Sequence, residues 1–370
     1  MVANLSDCFW RYSRRRRRLY SRDLYLRRDQ RPPHGAQIPR LEKAGRAQIV
    51  SKIGLWSDCH NFPSLPLMKL SAYHKSKGDT VELVNRFEWY DRVYASKVFS
   101  FTPDIEDSGI VQTDELIKGG TGYCISVKNG KEIFDNSKNH PLPQEIEHIY
   151  PDYSLYPEYD YAVGFLSRGC PRACGFCVVA KKEGRCAHKV AELEQFYRGE
   201  QKEIKLLDPN ILACTDHEIL LKDLIRSGAW IDFTQGLDIR FVTKDNINLL
   251  NRIKTKMFHF AWDNPKQDLS GQFQLFNQHT KIKDYRKKTV YVLTNYNSTI
   301  EEDLYRIYTL RDLGYTPYVM VYQKETADIQ HRHLQRWANN KKIFKTIPRF
   351  ENYDPREHIA RPADNQICLF

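Results

Sequence analysis

The sequence of 370 residues contains no apolar run long enough to span a bilayer and no secretory signal pattern. Both absences point to a soluble, cytoplasmic protein with no membrane partner. Its nine cysteines are too few for a disulfide scaffold of this length, and their number is odd. No second C-x-x-C pair accompanies the one at Cys174 and Cys177, so the usual two-pair zinc pattern is missing. Beyond residue 47 there is little charge excess. The chain carries 57 Lys and Arg against 46 Asp and Glu, but residues 1–47 hold 13 of the former and only 4 of the latter. The remainder therefore shows no basic bias that would announce nucleic acid.

Residues 1–47 contain the arginine run 14–18 and the segment "RPPHGAQIPR", with little apolar periodicity. They read as a basic, disordered tail. An RNA-binding arm, a targeting peptide, a mis-assigned start of translation and a solvated tail without function are all compatible with that composition.

From residue 48 the pattern alternates. "KIGLW" predicts a strand, "PLMKLSAYHKSKG" a helix ending at Gly78, and "TVELV" and "KVFSF" two more strands. "DELIKGGTGY" ends in a glycine-rich turn. Residues 48–128 are thus expected to form a small Rossmann-like α/β domain of parallel strands. The stretch 129–160, polar and rich in Pro, Asp and Tyr, reads as a linker.

Over 161–340 the alternation predicts six βα units. Their strands are "YAVGFLS", "EIKLLD", "WIDFTQ", "MFHFAWD", "TVYVLTN" and "PYVMVYQ", short and apolar as if covered on both faces. A helix is expected over 188–198. Capping boxes are expected at Thr215 with Glu218 and at Ser298 with Glu301, and only a weak helix near Phe273 and Asn277. Such units curl into a partial barrel, with helices outside and ligands at the C-terminal ends of the strands. Residues 341–370 are a C-terminal extension.

"RGCPRACGFC" follows the first of these strands and places Cys170, Cys174 and Cys177 on one loop at that mouth. Thiolates select zinc, copper(I) or iron–sulfur clusters. Structural zinc asks for a fourth ligand, which Cys186 or His188 would supply. A [4Fe–4S] cube normally takes four thiolates, so three leave one iron open to a substrate or cofactor.

The C-x-x-x-C-x-aromatic-C motif after the first strand of a six-unit βα array resembles the radical S-adenosylmethionine superfamily, over about residues 160–325. The resemblance implies that the open iron is chelated by the amino and carboxylate groups of S-adenosylmethionine. An electron from the reduced cluster, delivered by a donor such as flavodoxin or ferredoxin, then cleaves the sulfonium and starts radical chemistry. It also implies positions for cofactor-binding residues. "LLDPN" stands where the family holds the amino group, with Asp208 and Asn210 in place of the common Gly-Gly-Glu. Arg240 in "FTQGLDIR" suits a carboxylate, with Gln235 and Asp238 nearby. Asp263 and Asn264 end the fourth strand near the ribose, Asn295 ends the fifth near the adenine, and Phe176 packs on the adenine or shields the cluster. Asp208, Asp263 and Asn295 are equally the residue types that form turns and helix caps at strand ends. Cys186 and Cys214 read as unpaired thiols rather than a second cluster.

An α/β domain ahead of such a barrel resembles the cobalamin-binding-type domain of related radical enzymes. Their D-x-H-x-x-G motif is partly matched by Asp58 and His60, but Pro63 replaces the glycine. Gly119 and Gly120 fit the later glycine pair, where a corrin needs close backbone approach. Cobalamin is therefore an open reading, His60 being equally a residue of an ordinary turn. Methyl transfer, methylthiolation and rearrangement all stay open, and the substrate is unidentified. The resemblance to tRNA methylthiotransferases is partial. Only Cys59 and Cys124 lie in the α/β domain, and the segment after 340 is short for their terminal RNA-binding barrel. The competing reading is a non-catalytic iron–sulfur or zinc module, associated with RNA through the arginine-rich tail.

Overall fold

The computed structural model describes residues 50–109, 111–128 and 131–356. The basic tail 1–47 and the end of the C-terminal extension lie outside the described residues. The chain divides into two compact units, one up to Leu155 and one from Tyr156.

In the first unit β1 (Lys52–Ser57), α1 (Leu65–Ser76), β2 (Thr80–Leu83), β3 (Trp89–Ser96) and β4 (Gln112–Gly119) follow in order. The strands form one sheet in the order β2-β1-β3-β4, with every pair parallel. Pro66 sits in the first turn of α1, where a missing N–H is harmless. Leu67, Met68 and Leu70 turn inward, and Gly78 at φ 87° closes the helix end. "KVFSF" is not the third strand: residues 97–101 are loop, and the strand is the preceding "WYDRVYAS". Asp91 and Arg92 give that segment a polar look, yet Tyr90, Val93 and Ala95 are core residues. The stretch read as a linker opens with one strand of an antiparallel hairpin, β5 (Ile125–Lys128) with β6 (Lys131–Phe134).

The second unit contains all six expected strands. They are β7 (Tyr161–Gly164), then β10 (Glu203–Leu206), β11 (Trp230–Phe233), β13 (Phe258–Ala261), β14 (Lys288–Thr294) and β15 (Thr316–Val321). Between β7 and β10 run β8 (Ser167–Arg168), α2 (Val179–Lys182) and β9 (His188–Lys189). The remaining elements are α3 (His217–Ser227), α4 (Lys244–Leu250), β12 (Lys254–Thr255), α5 (Ser270–His279), α6 (Ile300–Asp312), α7 (Ile329–Asn339) and α8 (Lys341–Thr346). Hydrogen bonding groups the strands into two parallel sheets, β12-β11-β10-β7 and β13-β14-β15. Among the described residues a parallel bridge links Leu237, in the segment after β11, to Phe260 of β13. The result is an α/β unit of parallel sheets.

Three local expectations change. Residues 188–198 do not form a helix. His188 and Lys189 pair antiparallel with Arg168 and Ser167, and only a 3₁₀ turn, Leu193–Gln195, follows. Phe196 then lies against β7, its ring 2.3 Å from where a Cβ on Gly164 would stand. The capping box at Thr215 is absent, because α3 starts after Asp216. The one expected at Ser298 forms one residue later, between Thr299 and Glu302. The weakly patterned α5 is a full helix, fixed by burial of Phe273 and Phe276.

The strands are not covered alike on both faces. Ile204, Leu206, Ile231 and Phe233 are fully buried. The alternating Lys205 and Asp232 are half-buried and ion-paired at 3.0 Å. His259 continues this polar row on β13 and bonds Tyr291 at 3.1 Å.

Candidate functional site

The cysteine loop is tied at both ends before it reaches its thiols. It leaves through β8 and returns through β9, so a two-residue ladder closes it. Gly169 has φ 86°, and a Cβ there would stand 2.2 Å from the Cys186 carbonyl oxygen. The Cys170 N–H donates to the Gly184 carbonyl at 3.1 Å, and the Cys177 N–H to that of Cys174 at 3.0 Å. Ala173, at φ 47°, turns the chain between them. The three thiols are each partly exposed.

Asp208 anchors the loop rather than facing a ligand. Its carboxylate accepts the Leu166 N–H at 3.1 Å, the Ser167 N–H at 2.5 Å and the Ser167 hydroxyl at 2.7 Å. Burial pushes its carboxyl up to about 6, against the opposing pull of those hydrogen bonds. Where the sequence suggested a partner for an ammonium, the structure shows a carboxylate that accepts three hydrogen bonds from within the protein and lies off the cavity wall.

Beside the loop lies a cavity of about 520 Å³. Cys174, Gly175 and Phe176 form one wall, and Arg240, Asp263 and Tyr296 come from the segments after β11, β13 and β14. Phe176 packs edge-on to Tyr296 with ring centres 5.2 Å apart. The Tyr296 hydroxyl crosses Gly175 so closely that a Cβ would meet it at 2.4 Å. Asp263 is buried at Oδ1, which has no hydrogen-bond partner among the described residues. Burial raises its carboxyl, with the Arg306 and Arg240 charges opposing. Burial likewise raises the Cys174 thiol, and nearby Asp263 and Cys177 add to the effect.

Arg240 does not float in the cavity. Its Nε and Nη2 donate to the two oxygens of Asp238 at 2.6 and 3.0 Å, and Nη1 reaches Gln267 at 3.4 Å. Asp238 also accepts from Arg172 Nε and from Asn210 Nδ2, both at 3.1 Å. Burial works against this carboxylate, but the Arg240 hydrogen bonds and charge, with Arg172, outweigh it and hold its pKa below the usual range. The same Asn210 Nδ2 lies 3.5 Å from Cys170 Sγ. Behind the cavity, the fully buried Arg306 donates to the carbonyls of Trp262, Asp263 and Leu293 at 2.7, 3.1 and 2.9 Å. It is ion-paired with Asp303.

Of the residues singled out in the sequence, Cys174, Phe176, Arg240 and Asp263 line the cavity, as does Asn264. Cys170 and Cys177 belong to the same loop. Two others lie off the cavity wall. Asn295, at φ 61°, gives its Nδ2 to the Tyr322 carbonyl at 2.8 Å, and the next residues, Tyr296 and Asn297, line the cavity instead. Gln235 precedes the Gly236 turn and is not among the lining residues. The sequence reading missed Arg172, Lys266, Gln267 and Tyr296. Arg172 had a signal, a cation inside the cysteine motif, and Tyr296 an aromatic one position past a strand-end Asn.

Among the described residues, no three Cys, His, Asp or Glu side chains converge to hold a single metal ion. A zinc site gathers all its ligands to about 2.3 Å of one centre. A cluster instead spreads its thiolates over separate irons. Three soft donors on one loop, with Cys174 on the cavity wall, are the donor set that a cluster takes.

In the first unit, Asp58 accepts the Val98 and Phe99 N–H groups at 2.8 and 3.0 Å and the Thr102 hydroxyl at 2.6 Å. It fixes the loop after β3. Gly120, at φ 101°, presses on that loop: a Cβ would lie 2.3 Å from the Lys97 carbonyl oxygen. Gly119 faces open space, and His60 is exposed.

No protein-family profile and no curated protein matches the sequence. Solved structures do. The radical S-adenosylmethionine methyltransferase TsrM from Kitasatospora setae, with cobalamin and a [4Fe–4S] cluster bound, superposes with TM-score 0.54 at 12% identity, covering 74% of this chain and 75% of that one. The same enzyme with tryptophan substrate and an aza analogue of S-adenosylmethionine gives TM-score 0.36 at 12% identity, covering 73% and 67%. The first likeness shows a shared fold. Its coverage exceeds the span of the second unit, so it extends into the first.

Proposed function

We propose that this chain is a radical S-adenosylmethionine enzyme. Cys170, Cys174 and Cys177 hold a [4Fe–4S] cluster with one iron free of protein ligands, and S-adenosylmethionine occupies the adjoining cavity. One observation carries the reading: the thiol loop itself, through Cys174, Gly175 and Phe176, is a wall of a cavity of about 520 Å³. When bound and reduced, the cluster supplies the electron that cleaves the sulfonium.

The protein's part is binding, orientation and exclusion of water. Arg240, held by Asp238, presents a fixed cation to a carboxylate. Asp263, on the cavity wall, keeps a buried oxygen without a partner among the described residues, an acceptor of the kind that hydroxyl and ammonium groups require. Phe176 and Tyr296 close the cavity beside the cluster. We read the second unit as the partial barrel, the first as the Rossmann-like domain, and a flavodoxin or ferredoxin as electron donor. The substrate stays unassigned.

Cobalamin-linked methyl transfer is a second reading, favoured by the fold of a methyltransferase that carries cobalamin. The residues of this chain do not form a built corrin site. Asp58 and Gly120 are engaged by the loop after β3, while Gly119 faces open space and His60 is exposed. No step is assigned to a corrin, and the absorbance spectrum of the anaerobically purified protein tests for one.

The main test is anaerobic reconstitution followed by dithionite and S-adenosylmethionine. Release of 5′-deoxyadenosine, or of methionine at least, is expected. A fully loaded protein that leaves S-adenosylmethionine intact and spectroscopically unchanged refutes the enzymatic reading in favour of a structural metal module.

A further inference from the structure

The cluster reading leaves unexplained why a buried asparagine touches one ligand sulfur. Asn210 is 3% exposed, and its Nδ2 stands 3.5 Å from Cys170 Sγ and 3.1 Å from Asp238 Oδ2. An amide NH₂ carries two hydrogens, and here two acceptors face it. The orientation of an Asn side chain is normally ambiguous. Asp238 removes the ambiguity. Its carboxylate faces the Arg172 and Arg240 guanidinium groups, so it is an acceptor and repels an amide oxygen. The NH₂ must turn towards Asp238, and its second hydrogen is then left for the sulfur.

We propose that Asn210 is a positioning and tuning residue of the cluster: it donates an N–H···S hydrogen bond to Cys170 and thereby raises the reduction potential, with Asp238 fixing the amide. The inference rests on the cluster assignment above. A donor at a ligand sulfur stabilises the electron-rich, reduced state more than the oxidised one, and such bonds are among the main determinants of cluster potentials. Asp238 thus has two tasks. It holds Arg240 at the cavity, and it aims the amide that reads the electron count of the cluster.

The test is a redox titration, followed by electron paramagnetic resonance, of the anaerobically reconstituted full chain and of Asn210→Leu, a change that keeps the branched shape and the number of side-chain heavy atoms and removes the donor. Equal iron content with an at least tenfold less favourable one-electron reduction, about 59 mV lower, is expected. An unchanged potential overturns the inference while leaving the cluster intact. Failure of the wild-type chain to assemble any cluster instead overturns the functional reading beneath it. If Asn210→Leu does not take up iron, the wild type decides. With ¹⁵N-amide-labelled asparagine, pulsed resonance of the reduced cluster should show ¹⁵N coupling, and its absence overturns the proposal.

Discussion

Cys174 stands where the thiol loop meets the cavity, so its replacement should be felt first at the metal. Cys174→Ala is expected to lose most bound iron and all S-adenosylmethionine cleavage while the fold persists. Iron analysis with circular dichroism checks both, and unchanged iron would remove Cys174 from the ligand set. Asp208 makes a different kind of prediction. Its folded carboxyl titrates at about 6, above the unfolded value of about 3.9. The folded state therefore binds the proton more tightly. The stability this group contributes is full below about pH 4 and is lost, on the order of 3 kcal/mol, as pH rises through about 6. The unfolding free energy of the wild type relative to Asp208→Asn should fall across that window; a flat difference would show an unperturbed carboxyl. Asp208 also marks what sequence cannot disclose. A strand-end aspartate reads alike as ligand or anchor, and only the position of Ser167 decides. That Cys174 and Arg240 would share one cavity wall was legible, because both follow strands of the βα alternation.

Among the elements, the cysteine loop depends on glycine for reasons of backbone rather than chemistry. Gly169→Ala combines a left-handed φ, costing roughly 1–2 kcal/mol, with a collision against the Cys186 carbonyl that no side-chain movement relieves. Gly184→Ala, at φ 93° with nothing within 4 Å, meets only the first penalty. Iron uptake should therefore fall sharply in Gly169→Ala and modestly in Gly184→Ala; equal losses would contradict the loop geometry. Arg306 makes the corresponding prediction for the far wall. It ties the ends of β13 and β14 and offsets a fully buried Asp303. Arg306→Met leaves that carboxylate, among the described residues, with only His331 Nε2, at 3.7 Å, as an ion-pair partner and should cost about 3–5 kcal/mol in chemical denaturation. A loss below about 1 kcal/mol would mean the pair is dispensable. The elements also show where periodicity fails. β3 was hidden by Asp91 and Arg92, and the expected helix over 188–198 gave way to the ladder that closes the loop. Both are cases of tertiary contacts overriding local preference.

Across the whole molecule, the alternation of six strands with helices predicted the second unit, and a solved methyltransferase of the same fold agrees with it at 12% identity. The first unit was legible as parallel α/β but not in its strand boundaries. Its Asp58 and Gly120 turn out to serve the loop after β3. No described helix is long and apolar enough to cross a membrane. The basic tail lies outside the described residues, and the fold likeness gives no support to an RNA-associated structural module. The decisive experiment is electron paramagnetic resonance of the anaerobically reconstituted, dithionite-reduced protein before and after S-adenosylmethionine, alongside iron and sulfide analysis. About four irons and four sulfides per chain, with a cluster signal that shifts when the sulfonium compound is added, are expected for a cube held at three corners. One zinc per chain, or a signal indifferent to S-adenosylmethionine, would contradict it.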